Sequence, residues 1–145
     1  MARNRPVPQI SADDTAFARS LVIHEDNSLI AFDKPSGLAV QAGSGITRSL
    51  DGLMAVFAKS NGKRPRLVHR LDQGTSGVIV AARTQPVAAM LSEAFAGRDV
   101  AKTYLALVQG RLPEADEGVI DQPLVKIEEA GKARIIPAKV DRKGA

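Results

Sequence analysis

The sequence contains no cysteine and no tryptophan, a single tyrosine (Tyr104), and two histidines, His24 and His69, far apart in the chain. Without cysteine there is neither a disulfide nor a thiolate metal site, and two separated histidines make no ligand cluster, so no metal is expected. Such a chain suits a reducing cytoplasm. The opening residues, MARNRPVPQI, lack the apolar run of a secretory leader. Nowhere does an apolar run approach the ~20 residues of a membrane helix. The expected location is therefore cytoplasmic, with no membrane partner. The whole chain carries a net charge of only +4, but it is unevenly placed: from Lys59 to Arg70 there are five basic residues, Lys59, Lys63, Arg64, Arg66 and Arg70, and no acid. That run suggests a polyanionic partner held in a salt-dependent way, although a solvated basic loop fits the same letters.

What is present suffices for one globular unit: 145 residues, of which 44% are hydrophobic. Met1 to Gln9 carries Arg3, Arg5, Pro6 and Pro8 and is expected to be a flexible basic arm. Ser11 as cap, with Asp13 and Asp14 following, predicts a short helix to Ser20. The runs Leu21–His24 and Leu29–Phe32, split by Glu25, Asp26, Asn27 and Ser28, predict a hairpin, followed by a Lys34-Pro35-Ser36-Gly37 turn. Thr47 or Ser49 can cap a helix to about Ser60, with Leu50, Leu53, Met54 and Phe57 at helical spacing. A further helix is expected from Thr84 to Gly97, with Pro86 in its first turn and Val87, Met90, Leu91, Ala94 and Phe95 as its apolar stripe. Alternation from Val100 to Val108 predicts a strand. Phe17, Phe32, Phe57 and Phe95 read as core.

The chain is organised around His69 to Gly77, HRLDQGTSG, which joins two apolar runs, Leu67–Val68 and Val78–Ala82. It reads as a polar turn between buried strands, where function concentrates. If the chain stays extended, Arg70 and Asp72 share a face and His69 lies on the other. The guanidinium would then favour the ionised carboxylate, leaving a nucleophile or base ready at neutral pH. Gly74 and Gly77 permit a sharp reversal, and Thr75 and Ser76 offer hydroxyls and backbone N–H groups. Spacing alone also fits an aspartate that caps the turn, with Arg70 as a surface partner.

HRLDQGTSG resembles the central motif of the RluA family of pseudouridine synthases, HRLD followed by two variable positions and TSG. The earlier HEDNSLIAFDKPSGLAV is similar to the family's first segment, and Lys102, Tyr104 and Ala106 match its KxYxA motif. Gly118 to Ala145 resembles the family's next hairpin. The resemblance implies an α+β fold, a mixed but largely antiparallel sheet with flanking helices, incomplete at its C-terminus. On this view residues 1–20 are an arm and short helix, and 21–145 are the N-terminal two thirds of the catalytic domain. A later family motif resembling TGRxHQIR, whose arginine pairs with the catalytic aspartate, is not in this sequence, and the shortened sheet is expected to expose an edge.

The implied activity is isomerisation of uridine in structured RNA to pseudouridine, without cofactor or metal. Ribosomal RNA is the favoured substrate, with transfer RNA the alternative. Asp72 matches the essential carboxylate. The target base must leave its stack, so a cleft and a pocket for the flipped nucleotide are needed. By resemblance Arg70 contacts RNA near the vacated base position or orders the loop. Tyr104, the one aromatic with a polar end, packs on the uracil. The remaining candidate RNA contacts are His69, Thr75, Lys102, Lys63, Arg64 and Arg66, with Lys102 also suited to pairing with a carboxylate and His69 to hydrogen-bonded packing. A monomer is expected, with association through the exposed sheet edge as the alternative. A binding remnant without catalysis, or an interaction domain without an RNA role, are the other classes compatible with these residues.

Overall fold

The computed structural model describes residues 10–138 except 98, 112, 113, 115 and 130; the N-terminal arm and residues 139–145 lie outside the described residues. Two compact units, Met1–Thr103 and Tyr104–Ala145, divide the chain. In the first, helix α1 (Ala12–Ser20) starts where its signals lie: Ser11 accepts from the Asp14 N–H, and Asp13 and Asp14 occupy the positive first turn. Strands β1 (Val22–Glu25) and β2 (Leu29–Lys34) form the expected hairpin. Its turn is tied by Asp26, whose Oδ1 accepts from the N–H groups of Ser28 and Leu29 at 2.7 and 2.9 Å. The His24 bond, followed by these two, lowers the Asp26 pKa to about 2.

The helix expected after Ser49 is shorter than its pattern suggests. Helix α2 (Leu50–Leu53) tightens at once into a 3-10 turn, Met54–Phe57, and Ala58 is already extended. Gly52, worth about 1 kcal/mol less than alanine in a helix, stands within the first turn. Strand β3 is only Arg66–Leu67, β4 runs Gly77–Ala82, and helix α3 runs Gln85–Ala96 with Pro86 in its first turn and Gly97 at its end. The stripe on α3 differs from expectation at one position. Met90 is exposed, and Ala88 is the buried residue instead.

The sheet has the order β1-β2-β4-β3, every neighbouring pair antiparallel. One face of β2 and β4 supplies Ile30, Phe32, Ile79 and Ala81 to the core, against Leu50, Leu53, Met54 and Phe57 from the helical segment and Ala18 and Leu21 from α1. Phe32 meets Phe57 edge to face at 5.3 Å. Burying such a ring contributes about 1.5–3 kcal/mol. Phe17 packs on this core from its margin. The α+β class and the antiparallel sheet thus agree with expectation.

In the second unit, β5 (Leu124–Glu129) and β6 (Lys132–Pro137) form an antiparallel hairpin with Gly131 at positive φ in its turn. The strand expected over Val100–Val108 is absent: residues 101–109 pair with no described strand, and Leu105 and Leu107 are fully exposed. Alternation supplies a face, but a strand also needs a neighbour to hydrogen-bond.

Candidate active site

Strand β2 alternates so that Ile30, Phe32 and Lys34 lie on one face, and all three are fully buried. A lysine at the end of a core-facing row has nowhere to place its ammonium except against backbone oxygens. Lys34 Nζ donates to the carbonyls of Pro35 (3.0 Å), Leu38 (2.8 Å) and Gln73 (3.2 Å). The last of these belongs to the turn that carries Asp72. Burial pushes the Lys34 pKa below the usual lysine value, while the Asp72 carboxylate acts the other way and favours the ammonium.

Two turns are sewn together around this ammonium. The Gly37 N–H donates to Gln73 O at 2.7 Å, Ser36 Oγ to Gly74 O at 2.8 Å, and Gln73 Nε2 back to Gly37 O at 3.1 Å. The Thr75 N–H donates to Asp72 O at 3.0 Å and closes the turn. Gly37 sits at φ +92°, a conformation open to glycine and strained for other residues. Of the two glycines expected to permit the reversal, Gly77 has φ +125° and opposes Lys34 in the β2–β4 ladder, whereas Gly74 is not at positive φ. The backbone around Asp72 is fixed from several sides. Its side chain is left exposed.

The motif's first residue has a different task. His69 Nε2 accepts from the Val80 N–H at 2.9 Å, and its ring stacks on Phe95 of α3 at 4.1 Å between centroids. Burial, then the charge of Lys102, lowers its pKa, which suits a nitrogen that must stay unprotonated to accept. Lys102 Nζ stands 5.6 Å from the Phe95 ring centroid. It pairs with that ring, and no carboxylate is within ion-pair distance among the described residues.

The expected Arg70–Asp72 pair is not formed. The chain bends at His69 after a strand of only two residues, so the alternation that would align the two side chains does not continue, and no ion pair includes either among the described residues. Both are exposed. Lys63, Arg64 and Arg66 are gathered with Lys59 and Arg83 around one recess. In sequence this run abuts the motif. In space it does not: Arg66 opposes Ala82, five residues along β4 from Gly77, on the order of 17 Å at ~3.3 Å per residue. Tyr104 belongs to the second unit and is 60% exposed.

What sequence reasoning missed is the burial of Lys34, which as a turn lysine reads as solvated, with lining an RNA cleft as the alternative. Its signal was the alternation Ile30, Phe32, Lys34, which makes it the last inward position of β2.

A family model described as RNA pseudouridylate synthase matches residues 28–144, from before Lys34 to beyond Tyr104. The chain belongs to that family. It is similar to RNA pseudouridine synthase 4, mitochondrial, of Arabidopsis thaliana, with 40% identity over 134 residues, covering 82% of this chain and 28% of the relative. It is also similar to ribosomal large subunit pseudouridine synthase C of Rickettsia bellii, with 40% identity over 105 residues, covering 72% of this chain and 34% of that protein. A solved structure, human RNA pseudouridylate synthase domain containing 4, shares the fold at TM-score 0.62 and 23% identity, covering 90% of this chain and 53% of that one. The chain spans 28% to 48% of the length of the curated relatives compared. Among the described residues no helix is long and apolar enough to cross a membrane.

Proposed function

We propose that this chain carries the carboxylate centre of an RNA pseudouridine synthase, with Asp72 as the essential group. The observation that supports this most is the fixed turn. Four hydrogen bonds tie it to Lys34, Ser36 and Gly37 while the Asp72 side chain stays open to a ligand. A positioned carboxylate on a rigid backbone is what each route to the product requires, whether attack on C1′, attack on the ring, or removal of a ribose proton.

The reaction is an isomerisation: the bond from C1′ to N1 breaks, the freed uracil turns, C5 joins C1′, the C5 proton leaves, and N1 gains a proton. No electrons are exchanged, and on this reading no cofactor takes part. Arg70 contacts RNA near the vacated base position, Tyr104 packs on the uracil, and the Thr75 N–H keeps the turn closed. His69 and Lys102 act on RNA through the packing around Phe95. The relative named for the large ribosomal subunit favours ribosomal RNA, with transfer RNA the alternative. Action in the cytoplasm as a monomer completes the reading, with the outer edge of β1 as the place for any association.

One observation favours a second reading, RNA binding without turnover: no cation is ion-paired with Asp72 among the described residues. Tritium release from ribosomal and transfer RNA labelled at C5 of uridine separates the two. Release establishes the isomerase and names its RNA class; salt-dependent RNA binding with no release from either RNA leaves only the second reading.

A further inference from the structure

The basic run Lys59–Arg66 lines one side of a recess of about 860 Å³. Its walls come from the loop before β3, from the end of β4 and from the start of α3. Five cations line it, Lys59, Lys63, Arg64, Arg66 and Arg83, against one carboxylate, Asp51. The charges are not equally available. Arg83 is ion-paired with Glu25, Arg66 donates to Gln85, and Arg64 reaches Asp51 only at 3.8 Å. Lys59 and Lys63 take part in no ion pair among the described residues, and both are exposed. Their loop is nonetheless tied by hydrogen bonds of its own: the Lys59 N–H donates to Lys63 O at 2.9 Å, the Gly62 N–H to Lys59 O at 2.8 Å, and the Lys63 N–H to the Asn61 side-chain Oδ1 at 3.0 Å.

A shaped, strongly positive recess with little carboxylate of its own calls for an anionic ligand. Its apolar lining is limited to proline, leucine and alanine, without an aromatic platform for a base. The chemistry it satisfies is therefore phosphate. We infer that this recess holds the ribose-phosphate backbone of the RNA at a point remote from the target uridine, a second anchor roughly 17 Å along β4 from the Asp72 turn. The inference rests on the RNA-modifying reading above and deepens it. One contact selects the nucleotide, and the other fixes where the surrounding RNA lies. Long structured RNA spans both sites, whereas a uridine-containing trinucleotide occupies only one.

The test uses the unaltered chain first. Lysine acetylation, read by mass spectrometry, is compared for the free chain and for the chain with ribosomal RNA, with a uridine trinucleotide and with inorganic phosphate. Lys59 and Lys63 are expected to be protected several-fold by the long RNA and by neither small probe. Equal labelling with and without long RNA overturns the inference, as does equal protection by inorganic phosphate, which would make the recess a free-anion site. The double variant Lys59→Ala/Lys63→Ala then reports the electrostatic share. The slope of log affinity against log salt for long RNA is expected to fall by about 1.4–1.8, at ~0.7–0.9 for each of two phosphate contacts, with trinucleotide binding unchanged. An unchanged slope overturns the inference. The two readings fail separately. Protection without tritium release removes the isomerase and keeps the recess; release without protection does the reverse.

Discussion

Replacing Lys34 by methionine keeps an unbranched stem in the core and deletes the ammonium that joins the two turns. Three carbonyls lose a donor. Gln73 O retains the Gly37 N–H, and Pro35 O retains a long contact of 3.4 Å from the Leu38 N–H, so Leu38 O bears the main loss. A buried acceptor left without a partner costs about 1–3 kcal/mol, and relief of the desolvation of a buried ammonium offsets part of the three charge-assisted bonds. The net destabilisation expected is about 1–3 kcal/mol, or roughly 4–12 °C in melting temperature at ~4 °C per kcal/mol. The turn loses one of its four ties at the same time. A displacement of about 1 Å at the Asp72 carboxylate is expected to lower tritium release on the order of 100-fold. Circular dichroism melts and the release assay check both effects. Lys63→Met, at an exposed lysine, is the control for the melts alone and should stay within about 0.5 kcal/mol. A Lys34→Met chain that melts within about 1 °C of the parent and releases tritium at the parent rate would refute this account of the turn.

Acid sensitivity follows from His69. Its folded pKa lies below the ordinary 6.5, so as pH falls the unfolded chain takes up the proton first. Its contribution to stability is full above 6.5 and is lost as pH drops through the folded value; urea midpoints at pH 7.5 and 5 should differ more for the parent than for His69→Phe, which keeps a ring over Phe95. That variant should also cost about 1–3 kcal/mol at pH 7.5, because the Val80 N–H loses its acceptor. Gly37→Ala should cost about 1–2 kcal/mol for its positive φ, whereas Gly74→Ala, with open space at its Cβ and no positive φ, should be nearly neutral by the same melts. Ser11→Ala should lower stability by about 1 kcal/mol through loss of the α1 cap.

Elements with complete local signals were legible in the sequence. Helix α1 carried its cap and its acids, the β1–β2 hairpin its polar break, and α3 both its proline and its closing glycine. The family motif marked the turn that holds Asp72. What escaped the sequence depends on where strands end and what they meet. Lys34 is buried because β2 continues through residue 34, a fact hidden by the proline behind it. Arg70 and Asp72 do not pair because the chain bends at His69, which no alternation rule anticipates. The basic run lies beside the motif in sequence and at the other end of β4 in space, because the two-residue β3 pairs antiparallel with the Ala81–Ala82 end of β4 whereas the motif turn leads into that strand at Gly77. The stretch from Val100 to Val108 had a strand's alternation, and only the absence of a described pairing partner revealed that it is not one.

The measurement that tests the central claim most directly compares the parent chain with Asp72→Asn for tritium release and for affinity toward the same C5-labelled ribosomal RNA. The carboxylate is exposed and none of the hydrogen bonds that hold its turn uses the Asp72 side chain. The variant should therefore fold, bind RNA within about two-fold of the parent and release no tritium, because the amide keeps the shape and lacks the basicity. Release by the variant at the parent rate would contradict the account. So would a loss of RNA affinity of ten-fold or more, which would make Asp72 a structural residue of the turn.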